Sequence, residues 1–259
     1  IYNAGVLVRH YPTQPVEERT ARNRVILKRM VEEVRGGKRA PNARLHYNVA
    51  MFANQDGDLQ TAATEFSLAI GASRDPLDIL IYRKFRSAAL IGLNRFGDAV
   101  LEAEAIISQE PEGRIGWDVL QEVAHAKGQW EASLVYFDIA CTKRPAPLAV
   151  DRPVERESHT KARASAACLA LGRYDRAVSL AREALDAHPD DALSKDALKR
   201  ALEAQALRGR FDRAMGLAVE YARDGDTDRT GAALLALPPG SESDPRVKAL
   251  LSHLRGLKT

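Results

Sequence analysis

Aromatic residues are scarce. At 6% of 259 positions they are too few for a β-sandwich or barrel, whose strands draw on aromatic and β-branched side chains. Cysteines number two, Cys141 and Cys168, and no CxxC or CxxxH spacing surrounds them, which leaves no zinc site. Two reduced, partly buried thiols are expected, and they fit a cytoplasmic location. No apolar run approaches the roughly 18 residues that span a bilayer, so no membrane partner is expected. No secretory leader is visible. The net charge of +3 is too mild to argue for nucleic acid.

Catalytic signatures are missing as well. There is no Walker loop, GxSxG elbow, HExxH helix or dinucleotide fingerprint. His46, His125, His159, His188 and His253 are scattered and read as structural. DGD at Asp56–Asp58 reads as a turn between helices. DGDTD at Asp224–Asp228 lacks the Gly and Glu that a calcium loop needs at its sixth and twelfth positions, where Arg229 and Leu235 stand. It too reads as a solvated turn. The basic stretches of ERTARNRVILKRMVEEVRGGKR are interleaved with Glu17, Glu18, Glu32 and Glu33 and have no aromatic platform. A solvated helix face is the reading, and no complete catalytic set emerges.

What is present is Ala, Leu and a recurring pattern. Turn residues Gly57, Asn94, Gly128, Gly172 and Gly209 recur at intervals of roughly 34 to 44 residues. Each sits between two helical segments. A small residue stands midway along the first helix of three units (Ala50, Ser87, Ser165), with Gln121 and Leu202 departing. Another stands early in every second helix: Ala62, Ala99, Ser133, Ala177 and Ala214. Phe66 and Phe137 follow four residues later, and Pro111, Pro145 and Pro189 close units. Small residues let antiparallel helices approach closely. Gly or Asn at the turn accepts the left-handed backbone that ends a helix. No single pair buries its apolar face alone, so the units must stack.

These segments resemble the tetratricopeptide repeat (TPR). The predicted fold is all-α, a TPR-like α-solenoid of helix–turn–helix repeats. Residues 14–42 form a linker and capping helix, with Ile26, Leu27, Met30, Val31 and Val34 on one face. Residues 43–226 hold five repeats, with an insertion at 146–157 read as a loop or bend. Residues 227–259 give capping helices around a Pro-Pro-Gly break. The concave face of such repeats implies a protein or peptide partner, or self-association. The matching groove positions are Arg44, Tyr47, Asn48, Met51, Lys84, Asp118, Glu122, Arg163, Lys199 and Arg200. Only Asn48 and Arg163 match parts of the Lys–Asn–Arg clamp of chaperone-tail receptors of this fold, which argues against that kind of adaptor.

The opening IYNAGVLVRHY suits a strand, and a lone strand needs a sheet. Residues 1–13 are therefore expected to end an α/β domain lying upstream. His10-Tyr11, Arg22-Asn23-Arg24, Leu27, Pro41-Asn42 and Tyr47-Asn48 resemble the junction in bacterial family 2 (GT-A type) glycosyltransferases that carry a C-terminal TPR region. That resemblance implies a non-catalytic arm of a sugar transferase, positioning a protein or glycan acceptor or dimerising the enzyme. It implies no cofactor in this chain, but a divalent metal (Mg or Mn) and a nucleotide-sugar for the upstream domain. His10 is then the one position matching a metal-holding role. The alternative is a stand-alone TPR scaffold that binds a polypeptide.

Overall fold

The computed structural model describes residues 16–38, 42–145 and 153–256. The expected strand at 1–13, His10 and the first part of the insertion at 146–157 lie outside them. The described residues are all-α, arranged as TPR-like helix pairs, with one isolated backbone bridge, Gly113 to Arg144, and no strand. They fall into two compact units. One comprises residues up to 127 with 138–151, the other 128–137 with 152–259.

In the first unit, helix α1 (Val16–Arg35) leads to α2 (Ala43–Gln55), α3 (Leu59–Ala72), α4 (Pro76–Gly92), α5 (Phe96–Gln109) and α6 (Ile115–Ala126). The punctuation is local chemistry. Asn42 caps α2 by accepting from the Arg44 and Leu45 amides, and Asp58 caps α3 through the Thr61 amide at 3.1 Å. Asp75 caps α4 through Leu77 at 2.8 Å, with Pro76 at the first helical position. Between α2 and α3, Gly57 adopts φ +79°, and Asn94 does the same job between α4 and α5 at φ +58°. The chain doubles back through an amide-to-carbonyl bond from Asp58 to Ala53 (2.9 Å), repeated from Arg95 to Leu90 (2.9 Å).

The small positions behave as the pattern predicts. Ala50, Ala62 and Ala99 are fully buried, and Ser87 is 1% exposed. Gln121, which departs from the small-residue rule, is also fully buried. Phe66, Leu80, Leu90, Ile106 and Val119 fill the space between pairs. α1 packs on α2 and buries Val31, whereas Ile26 stays 48% exposed.

In the second unit, the first residues of α7 (Trp130–Thr142) supply Leu134 and Phe137 to a core with α8 (Pro153–Ala170) and α9 (Tyr174–Ala187). Residues 153–157, part of the expected insertion, are thus the first turns of α8. Ala164, Ala167, Cys168, Ala177 and Ala181 are fully buried there, and Ser165 Oγ donates to the Ala177 carbonyl at 2.8 Å. Cys141 is exposed rather than partly buried, and Cys168 is buried. Asp191 caps the next helix through the Ser194 amide (2.9 Å) and hydroxyl (2.6 Å). Burial works against its charge, yet these bonds and His159 hold its carboxyl below the usual range.

The fifth turn is not where the repeat pattern places it. Gly209 lies inside an unbroken helix, α10 (Ala192–Arg223). The chain turns instead at Gly225, φ +75°, before α11 (Thr227–Leu235). The bonding repeats that of the first turn: the Asp226 amide donates to Tyr221 O at 3.0 Å, and Asp226 caps through Arg229 at 3.0 Å. Both DGD triplets are therefore helix–helix turns. Ala218 and Thr230, both fully buried, take the small positions of this pair. Phe211 and Met215 are claimed by Val247 of α12 (Pro245–Gly256), with Leu234, Leu237, Leu250 and Leu251 around them. Burial is thus supplied by the tail, and the cost of one helical Gly, about 1 kcal/mol, is too small to break α10.

The two glycines should answer differently to a methyl group. Gly225→Ala forces a Cβ onto a left-handed backbone and is expected to destabilise the second unit by about 1–2 kcal/mol. At Gly209 a Cβ would have nothing nearer than Arg213 Nη1 at 3.9 Å, so Gly209→Ala should stabilise by up to about 1 kcal/mol. Urea unfolding of the two variants measures both. Equal losses would contradict the placement of the turn.

Candidate interaction surface

Two first helices of the first unit, α2 and α4, share one face. On α2, Arg44, Tyr47, Asn48 and Met51 fall on one side by their three- and four-residue spacing. Arg44 is exposed, and the other three are half-buried. Tyr47 leans across to α4. Its ring centroid lies 5.1 Å from Tyr82 and 6.0 Å from Phe85. Phe66 of α3 stacks on Phe85 at 5.9 Å from beneath. Lys84 Nζ sits 5.1 Å from the Phe85 ring centroid, a cation–π geometry. The result is a rigid aromatic floor with an amide, a thioether and two cations around it.

The tyrosines stay neutral. Burial, with Asp78 adding its negative charge and a hydrogen bond, pushes the Tyr82 hydroxyl up to about 12. Burial also raises Tyr47, with Arg44 opposing. Each hydroxyl can donate across the physiological range.

Two polar struts set the floor. His46 Nδ1 lies 2.7 Å from Glu65 Oε2, both residues buried. One pair later, Arg83 Nη1 meets Glu102 Oε2 at 2.8 Å, and Arg86 bonds the other carboxylate oxygen. His46 and Arg83 immediately precede Tyr47 and Lys84 in the chain, so each strut ties a surface residue's backbone to the second helix behind it. Reading the repeat pattern did not find these struts. The available signal was a Glu inside an otherwise apolar stripe, in AATEFSLAI and again in VLEAEAII.

The other predicted groove residues do not join this patch. Asp118 on α6 is 2% exposed and its carboxylate is held by the Arg114 guanidinium at 3.1 Å, which removes it from the surface. Glu122 is half-buried on the same helix. Arg163, Lys199 and Arg200 belong to the second unit, where Lys199 and Arg200 are exposed and Arg200 pairs with Asp196 at 2.8 Å. Among the described residues no three His, Cys, Asp or Glu side chains converge to hold a metal, and no helix is long and apolar enough to cross a membrane.

No protein-family model and no curated protein matches the chain. Solved structures similar to it include a thermophilic TPR protein of Thermus thermophilus, 18% identical, covering 82% of this chain and 99% of that one at a TM-score of 0.47. The MamA protein is 11% identical over 78% and 94%, with a TM-score of 0.44. The C-terminal part of a TPR repeat-containing protein from Cytophaga hutchinsonii is 13% identical over 88% and 93%, with a TM-score of 0.46. None of the three is described as a glycosyltransferase. TM-scores below 0.5 leave the fold assignment to the helix pairs themselves: the described residues form an all-α array of TPR-like helix–turn–helix pairs.

Proposed function

We propose that the chain is a non-catalytic scaffold that takes up a polypeptide on the α2–α4 face of its first unit. The observation that supports this is the aromatic floor of half-buried Tyr47 and Phe85, backed by the buried ring of Tyr82 and rimmed by Arg44, Asn48 and Lys84. Rigid aromatics give contact area at little entropic cost, and they are the side chains that dominate binding energy at interfaces. Asn48 supplies both a donor and an acceptor to an extended backbone. Arg44 and Lys84 select carboxylate groups on the ligand. The ligand chemistry is an extended segment with an apolar side chain over Tyr47 and Met51 and an acidic group beside it.

The sugar-transferase reading asks for more. It rests on His10-Tyr11, Arg22-Asn23-Arg24, Leu27, Pro41-Asn42 and Tyr47-Asn48, of which His10, Tyr11 and Pro41 lie outside the described residues. Its acceptor-positioning role would use the same face, so the scaffold reading needs fewer parts.

Random peptides displayed on phage and selected on the purified chain should enrich one sequence class. Its binding should weaken at least about tenfold when Asn48→Ala and Lys84→Ala are combined. Enrichment that the double variant leaves unchanged would contradict the proposal.

A further inference from the structure

The seven residues RGRFDRA (208–214) match LGRYDRA (171–177) at five positions. The two copies do opposite things. In LGRYDRA, Gly172 turns at φ +70°, the Arg173 amide donates to Cys168 O at 2.8 Å, and α9 folds back on α8. In RGRFDRA the helix continues straight.

Straightness leaves surfaces uncovered that the folded-back copy buries. Leu217 occupies the place of Leu180, and Leu202 that of Ser165. Leu180 is 7% exposed and Ser165 fully buried, but Leu217 is 47% and Leu202 39% exposed. Between the core around Ala201 and the core around Phe211, residues 202–210 are exposed or half-buried. Open spaces flank this stretch. One of about 640 Å³ borders Arg173, Asp175, Gln205, Gly209 and Asp212. Another of about 470 Å³ lies against Leu207, Phe211 and Pro239.

We infer that α10 is the open hinge of an exchanged dimer. Residues 210–256 of a second copy lie along 192–208 of the first, where a fold-back at Gly209 would put the chain's own. The straight hinge is the conformation that exchange requires, and the duplicated heptapeptide identifies what each half packs against. A second copy is the only partner certain to carry the complementary half.

Light scattering should give twice the chain mass of 28.4 kDa, and Leu217→Ser, at an exposed position, should return it to the single-chain mass. Gly209→Ala, which favours the straight helix, should keep the doubled mass. On a Cys141→Ser background, chains bearing only Lys199→Cys and chains bearing only Glu220→Cys should be co-expressed. The precedent for the contact is Lys161 to Glu183, 3.3 Å apart across α8 and α9, whose places fall at Leu198, the neighbour of Lys199, and at Glu220. A short bismaleimide should join the two kinds of chain into a covalent pair. A single-chain mass overturns the inference, whether or not both cysteines placed in one chain join to each other. So does a dimer in which residues 199 and 220 fail to join.

Discussion

Phe66→Ala is expected to destabilise the first unit by about 4 kcal/mol, the range for removing a buried phenyl ring. Phe66 is fully buried, and from α3 its ring touches both α2 and α4, Tyr47 at 6.1 Å and Phe85 at 5.9 Å. Its loss removes apolar burial and leaves a cavity between two helix pairs that cannot collapse without moving the surface above it. Trp117 lies in this unit and Trp130 in the other. Urea unfolding followed by fluorescence in a Trp130→Phe background therefore reports on the first unit. Binding of a selected peptide should weaken in parallel, because the floor under Tyr47 and Phe85 is gone. A loss below about 1 kcal/mol would mean that the aromatic cluster does not organise this unit.

Glu102→Ala should cost about 3 kcal/mol. The Glu102 side chain is 6% exposed and neutralises Arg83 and Arg86, whose side chains are 27% and 25% exposed. Removing the carboxylate leaves two like charges facing each other at the edge of the core. Their partial contact with water places the cost at the lower end for a broken buried pair. Replacing the whole group by Arg83→Met, Arg86→Met and Glu102→Leu should recover most of the loss, since desolvation of all three charges then disappears. If Glu102→Ala alone is as stable as the parent chain, the strut contributes nothing and the surface above it is set by packing only.

Much of the fold was legible because helix pairing has a strict steric requirement. Ala50, Ala62, Ala99 and Ala177 announce close approach, and each is fully buried. The turn glycines announce a left-handed backbone, which holds at Gly57, Gly128 and Gly172. Gly209 failed because a Gly followed by RFDRA carries the same local signal as a true turn. What decides the matter is remote: Phe211 and Met215 find Val247 in the tail. The better local signal was DGD at 224–226, a copy of DGD at 56–58 with the same capping Asp.

The surface was legible only in part. Tyr47, Asn48, Met51 and Lys84 followed from repeat position alone. Asp118 occupies the same repeat position as Lys84 but turns inward to Arg114. A four-residue ion pair is visible in sequence, whereas its burial is not. The contribution of Tyr82 and Phe85 depends on how α4 lies against α2, a tertiary matter. The same holds for the struts at Glu65 and Glu102, whose partners stand 19 residues back for His46 and Arg83 and 16 for Arg86.

Amide hydrogen exchange of the chain with and without a display-selected peptide tests the scaffold most directly. Protection concentrated in residues 43–55 and 76–92, the helices α2 and α4, is the predicted result. Protection confined to the second unit, or no change in α2 and α4 at a saturating peptide concentration, would contradict it.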